Sequence, residues 1–133
     1  TLGETTKFGD NYMIDVRCVI KNNTDNEIYY MNQSCNGLDY YLILKPDSYS
    51  VSPLMNCNAT WGMISKLNSQ GSIKFKTQIL KLRDSKPIEN IGIDFRVTDK
   101  FIPFETLRKQ PKIIEKVYRK KTEQKNIIWG NEE

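Results

Sequence analysis

Histidine is absent from the 133 residues, which removes the commonest general base and the commonest metal ligand together. Alanine, the best helix former, occurs once, at Ala59, while Ile, Lys and Asn are abundant, so the composition leans away from helices. An AT-rich coding sequence would leave the same mark. The longest uncharged apolar run covers residues 40–44, far short of the ~20 residues a membrane-spanning helix needs. No basic segment followed by an apolar one opens the chain, and its first residue is Thr1, so it reads as a processed or trimmed chain. The three cysteines, Cys18, Cys35 and Cys57, have no CxxC spacing. Without histidine a structural zinc site would need a carboxylate as well, so no metal and no cofactor are expected.

Catalytic patterns are missing in the same way. A Ser, Cys or Thr nucleophile needs a base beside it, and there is no SxxK pattern, GxSxG elbow or GxxxxGK[ST] loop. A carboxylate pair could act on a glycosidic bond, but the acidic residues are scattered through turns and strand faces. The sequence predicts a chain that is not an enzyme. A small hydrolase or a protease inhibitor is the weakest of the alternatives.

What is present suits one ordinary domain spanning residues 1–133. With 38% hydrophobic and 27% charged residues, a chain of this length can bury roughly two-thirds of its unfolded surface. Residues 13–21 alternate, with Ile14, Val16, Cys18 and Ile20 against Asp15, Arg17, Val19 and Lys21, the period of a half-buried strand. The Asn22 to Asn26 cluster that follows is a turn. Residues 27–31, 38–44, 61–67, 72–82 and 91–97 read as further strands, with Ile73, Phe75, Thr77 and Ile79 on one face of the fourth of these. Residues 49–55 contain Pro53, which cannot donate to a ladder, so they form an edge strand or an irregular connection. Residues 104–125 form either a short helix or a long loop, and Ile127, Ile128 and Trp129 return as a last strand. Short strands at intervals of ~8 to 12 residues predict an all-β, antiparallel β-sandwich of about seven strands.

Cys18 lies on the apolar face of its strand, as a small buried hydrophobe does. Cys35 and Cys57 both follow strands in loops, where a disulfide and two free thiols are both open. Three N-x-S/T patterns, at Asn22, Asn32 and Asn58, would mark surface loops in a glycosylated secreted protein, and chance matches are expected in a chain so rich in Asn. Positive charge gathers late, at Arg108, Lys109, Lys112, Lys116, Arg119, Lys120, Lys121 and Lys125. A solvated face explains it better than a nucleic-acid site, because no nucleic-acid fold signature accompanies it. Exposed aromatics would supply a sugar- or peptide-binding platform, with Tyr40, Tyr41 and Trp61 as the candidate ligand contacts.

The first strand ending in Asn22, Asn23, Thr24, the Tyr29 to Cys35 stretch, the Asn56, Cys57, Asn58 element and the final Ile128, Trp129, Gly130, Asn131 together resemble small immunoglobulin-like domains of Gram-negative, Bacteroides-type envelope proteins. Such proteins are often uncharacterised lipoproteins. The resemblance implies a disulfide between Cys35 and Cys57, a last strand at Trp129 and an immunoglobulin-like fold, and it brings no catalytic residue and no known ligand. It spans most of the chain up to Val97 and resumes at Asn126. It departs from antibody domains because Trp61 follows Cys57, so the bridge is a loop staple and not the pin between two sheets.

Together these readings predict an exported structural or interaction module, periplasmic, cell-surface or secreted, with an unknown protein or glycan partner. A lipid anchor outside this sequence would tie it to a membrane. The alternative is a carbohydrate- or peptide-binding module using aromatics at one end of the sandwich.

Overall fold

The computed structural model describes residues 1–35, 37–46, 48–52, 57–82, 86–122 and 127–130. Among these, the chain order is β1 (Leu2–Phe8), β2 (Asn11–Lys21), β3 (Ile28–Gln33), a 3-10 turn (Gly37–Tyr41), β4 (Leu42–Lys45), β5 (Tyr49–Ser52), β6 (Gly62–Leu67), β7 (Ser72–Lys81), β8 (Asn90–Asp94), β9 (Val97–Thr98), α1 (Phe104–Lys109), α2 (Pro111–Thr122) and β10 (Ile127–Trp129). The ten described strands form three antiparallel sheets, in the orders β1-β2-β7-β5, β10-β8-β4 and β6-β3-β9.

The central ladder joins β2 to β7 over ten residue pairs, from Tyr12↔Lys81 to Lys21↔Ser72. Its period-two pattern holds: Ile14, Val16, Thr77 and Ile79 are buried, while Asp15, Arg17, Lys74 and Lys76 are exposed. The buried face meets both three-stranded sheets. Val16 and Ile79 pack with Leu44 and Tyr49, Ile91 joining them, and Ile20, Ile73 and Phe75 reach a second cluster of Tyr30, Met31, Leu38, Tyr41, Leu67, Ile93 and Phe95. Apolar burial on this scale, at roughly 25 cal/mol per Å² removed from water, is the main force holding the sheets together.

The structure departs from the sequence reading at several elements. Leu2–Phe8 is a strand although every described side chain in it is exposed; it pairs along one edge of β2 and has no apolar face to announce it. Residues 38–44 are not one strand. Gly37 takes a left-handed φ of 50°, and the 3-10 turn after it buries Leu38 and Tyr41, three residues apart and therefore on one side of such a turn. Residues 91–97 lose their alternation: Gly92, Ile93, Asp94 and Phe95 are all buried while Val97 is exposed. Phe95 and Arg96 lie between strands, where the chain passes from one sheet to the next and its phase shifts. Residues 49–52 do form an edge strand, β5, whereas Pro53 lies outside the described residues.

The basic stretch is helical over Phe104–Lys109 and Pro111–Thr122, and its end at 123–125 lies outside the described residues. Pro111 opens α2 at the position where a missing N–H costs nothing, and α1 ends at Gln110, whose N–H bonds the Thr106 carbonyl. The helices cover one face of the β6-β3-β9 sheet. By register, Gly62, Ile64, Lys66, Met31 and Tyr29 share that face. Ile114 of α2 lies so close over Gly62 that a Cβ there would come within 2.9 Å of it. With both faces of this sheet covered, β3 buries consecutive residues Tyr30 and Met31. Sequence periodicity cannot signal such a strand.

Asn22 explains the first turn. Its side chain is buried, its amide nitrogen donates to the carbonyls of Asn26 and Asn68 at 2.8 and 3.0 Å, and its oxygen accepts from the Thr24 N–H and hydroxyl. An amide so placed holds the turn and does not present itself as a glycan acceptor. Asn32 is likewise engaged, with Ser65 and the Gln33 N–H; of the three sequons, only Asn58 is exposed.

Candidate functional site

The chain ends of β3 and β6 lie side by side, and their pairing runs on past the strands. The Ser34 N–H donates to the Trp61 carbonyl, and the Trp61 N–H donates to the Ser34 hydroxyl, both at 2.9 Å. One residue further, Cys35 is bridged to Cys57, with Cα atoms 6.4 Å apart. The Ser34–Cys35 corner and the segment leading into β6 are thus tied twice, once by hydrogen bonds and once covalently. The 3-10 turn packs against β3 at the same end.

This end presents two of the three aromatic side chains expected there. Tyr40 is 51% exposed and Trp61 48% exposed. Tyr41 is 4% exposed, so it is a core residue and its ring is unavailable to a ligand. The reason is the 3-10 turn: consecutive residues in it point in different directions, and of Tyr40 and Tyr41 it is Tyr41 that is buried. Its role is to connect. The Arg96 guanidinium lies 5.6 Å from the centre of its ring, the Gln33 side-chain amide donates to its hydroxyl at 3.1 Å, and the Thr60 hydroxyl donates to the Gln33 carbonyl oxygen at 3.1 Å.

At the inner end of this line, Arg96 Nε and Nη2 both donate to Asp94 Oδ2, at 2.8 and 2.7 Å. The pair is largely buried, and Asp94 Oδ1 has no hydrogen-bond partner among the described residues. The unit is not legible in the sequence, where Asp94 and Arg96 alternate with Ile93, Phe95 and Val97 as the polar side of a strand would. Their spacing of two, opposite charges on one side, was the available signal.

On the β10-β8-β4 sheet, Trp129 lies across Gly92, where an added Cβ would meet its ring at 2.7 Å, and Lys45 Nζ sits 4.4 Å from the ring centre. Glycine at 92 is what lets the indole cross β8 to reach β4.

Two titratable groups sit inside. Burial raises the Asp39 carboxyl above its usual range, with the neighbouring Thr77 hydroxyl partly offsetting it. Burial also pushes the Cys18 thiol up. Cys18 is not bridged, and the half-buried position matches the small-hydrophobe reading. For Asp39 the sign follows from linkage. Between the ordinary and the raised value the folded protein holds a proton the unfolded chain has lost, so stability falls as pH rises through that window. Asp39→Asn is expected to flatten this part of a pH series of urea midpoints and to be at least as stable as the parent at neutral pH. A variant with the same pH slope would assign the dependence to another group.

Among the described residues, no helix is long and apolar enough to cross a membrane, and no group of three or more Cys, Asp or Glu side chains is placed to hold a metal ion. An open hollow of about 420 Å³ at the β1–β2 edge is lined by Thr1, Leu2, Gly3, Glu4, Asp15 and Arg17. Compared with known family models, curated proteins and solved structures, the chain matches none.

Proposed function

We propose that the chain is a non-enzymatic, exported interaction module of one domain, an immunoglobulin-like sandwich of the kind found in small envelope proteins, acting in the periplasm, at the cell surface or after secretion. The Cys35–Cys57 bridge supports export, since disulfides persist in oxidising compartments and are rare in the cytosol. A lipid anchor outside this sequence would fit such a protein.

Of the two forms this module can take, purely structural or ligand-binding, the second has the better support. The observation that carries it is the exposure of Trp61 and Tyr40 at an end of the fold held by the disulfide and the Ser34–Trp61 hydrogen bonds. Large, rigid aromatic side chains give much contact area at small entropic cost, and a braced backbone spares the ordering penalty of binding. The ligand class is carbohydrate or peptide. Titrating the protein with a panel of both is expected to quench tryptophan fluorescence, with the signal lost in Trp61→Ala and kept in Trp129→Phe. Silence across the panel, or quenching that survives Trp61→Ala, would return the chain to a structural role.

A further inference from the structure

Residues 104–122, the two helices, hold seven Lys and Arg against two Glu. Their excess of five exceeds the net charge of the entire chain, +4, so the remaining residues are close to neutral with a slight acidic balance. The positive charge of this protein is therefore a property of one structural unit.

The structure shows where that unit faces. Leu107 of α1 is buried, and Ile114 of α2 sits over Gly62. Leu107 and Ile114 are thus turned toward the sheet beneath. Arg108, Lys109, Lys112 and Lys116 are exposed, accompanied by Glu105 and Glu115. Lys112 and Lys116 are four residues apart in α2 and so share a side of the helix, with Cβ atoms about 5–6 Å from each other. The same turn of helix crosses β6 one residue from Trp61, the aromatic of the proposed binding end.

We infer that the outer side of the α1–α2 pair is a docking surface for an acidic polysaccharide, a chain bearing carboxylate or sulfate groups. This rests on the ligand-binding reading above and names the chemical class of its ligand. Charge complementarity selects a polyanion. A lipid surface is disfavoured because none of the described helix side chains is an exposed large hydrophobic, whereas an interfacial helix presents an apolar face to the headgroup boundary. A regularly charged sugar chain needs no such insertion. Its anionic groups recur along its length and meet cations that recur along a helix.

The test uses the intact chain with three probes: polygalacturonate, uncharged dextran and phosphatidylglycerol vesicles. Polygalacturonate is expected to bind at low salt and to be released by molar sodium chloride, since exposed charges are screened within about 3 Å at that ionic strength. Lys112→Glu/Lys116→Glu is expected to weaken binding by about tenfold or more with an unchanged thermal midpoint. Arg17→Glu/Lys76→Glu, which reverses two exposed cations on the outer side of the β1-β2-β7-β5 sheet, is expected to leave binding in place. Equal binding of dextran that still quenches Trp61 would overturn the acidic class while sparing the binding end. Vesicle binding that depends on Lys112 and Lys116 would overturn the polysaccharide in favour of a membrane. Loss of binding in the sheet variant alone would place the surface elsewhere, and no binding of any probe, with no Trp61 quenching by any ligand, would remove both readings.

Discussion

Replacing Arg96 with methionine is expected to lower the unfolding free energy by about 3–5 kcal/mol, because it strands the Asp94 carboxylate in a buried position with its guanidinium partner gone. The cost comes from the charge left behind and not from the worth of the pair itself. The double variant Asp94→Asn/Arg96→Met should therefore recover a substantial part of the loss, and the two substitutions should be strongly non-additive in a double-mutant cycle. Urea denaturation of the four proteins measures this directly. If Arg96→Met stays within about 1 kcal/mol of the parent, the pair behaves as a surface ion pair and the buried description fails. The effect should also reach the proposed binding end, since Arg96 faces the Tyr41 ring, which is bonded through Gln33 to Thr60 beside Trp61.

The second large effect belongs to the disulfide. Cys35→Ser/Cys57→Ser is expected to cost about 3 kcal/mol, the value for closing a loop of this length in the unfolded chain, and to lower the thermal midpoint by roughly 10 °C. The separation of 22 residues supplies the loop length. Intact mass after alkylation gives an independent check. Without reduction only Cys18 is open to the reagent, and its burial-raised thiol should label slowly at neutral pH. After reduction, three cysteines should label. Three labels without reduction, on protein taken from its native host, would mean that the bridge does not form there and would remove the main support for export.

The parts of the fold that were legible are those where one side of a strand meets water. In β2 and β7 the sequence alternates because the structure does, and the turn at Asn22 announces itself by residue types that bond their own backbone. Legibility ends where both sides are covered. Tyr30 and Met31, or Ile93 and Asp94, are buried in succession because sheet lies on one side and helices or Trp129 on the other. Leu2–Phe8 fails for the opposite reason, each of its described side chains being exposed. The helices were obscured by the same charges that now define them, since Ile113 and Ile114 alone mark an apolar side in the described part of α2. At the candidate site, Trp61 and Tyr40 are singled out by residue type alone, and the structure leaves both exposed. Tyr41 was misplaced because a strand was expected where Gly37 starts a 3-10 turn, and the Asp94–Arg96 unit depends on a change of sheet that no local pattern encodes.

The β2–β7 ladder has a kinetic consequence. It is the longest ladder in the fold, yet its nearest pair, Lys21 and Ser72, is separated by 51 positions along the backbone, and such non-local pairings slow folding because the loop must close before any contact repays it. By way of the Cys35–Cys57 bridge the same two residues are only about 30 positions apart, which lowers the entropic cost of closing the loop between them. A chain oxidised before collapse is therefore expected to form the central ladder faster than a reduced one, which a comparison of their refolding rates measures.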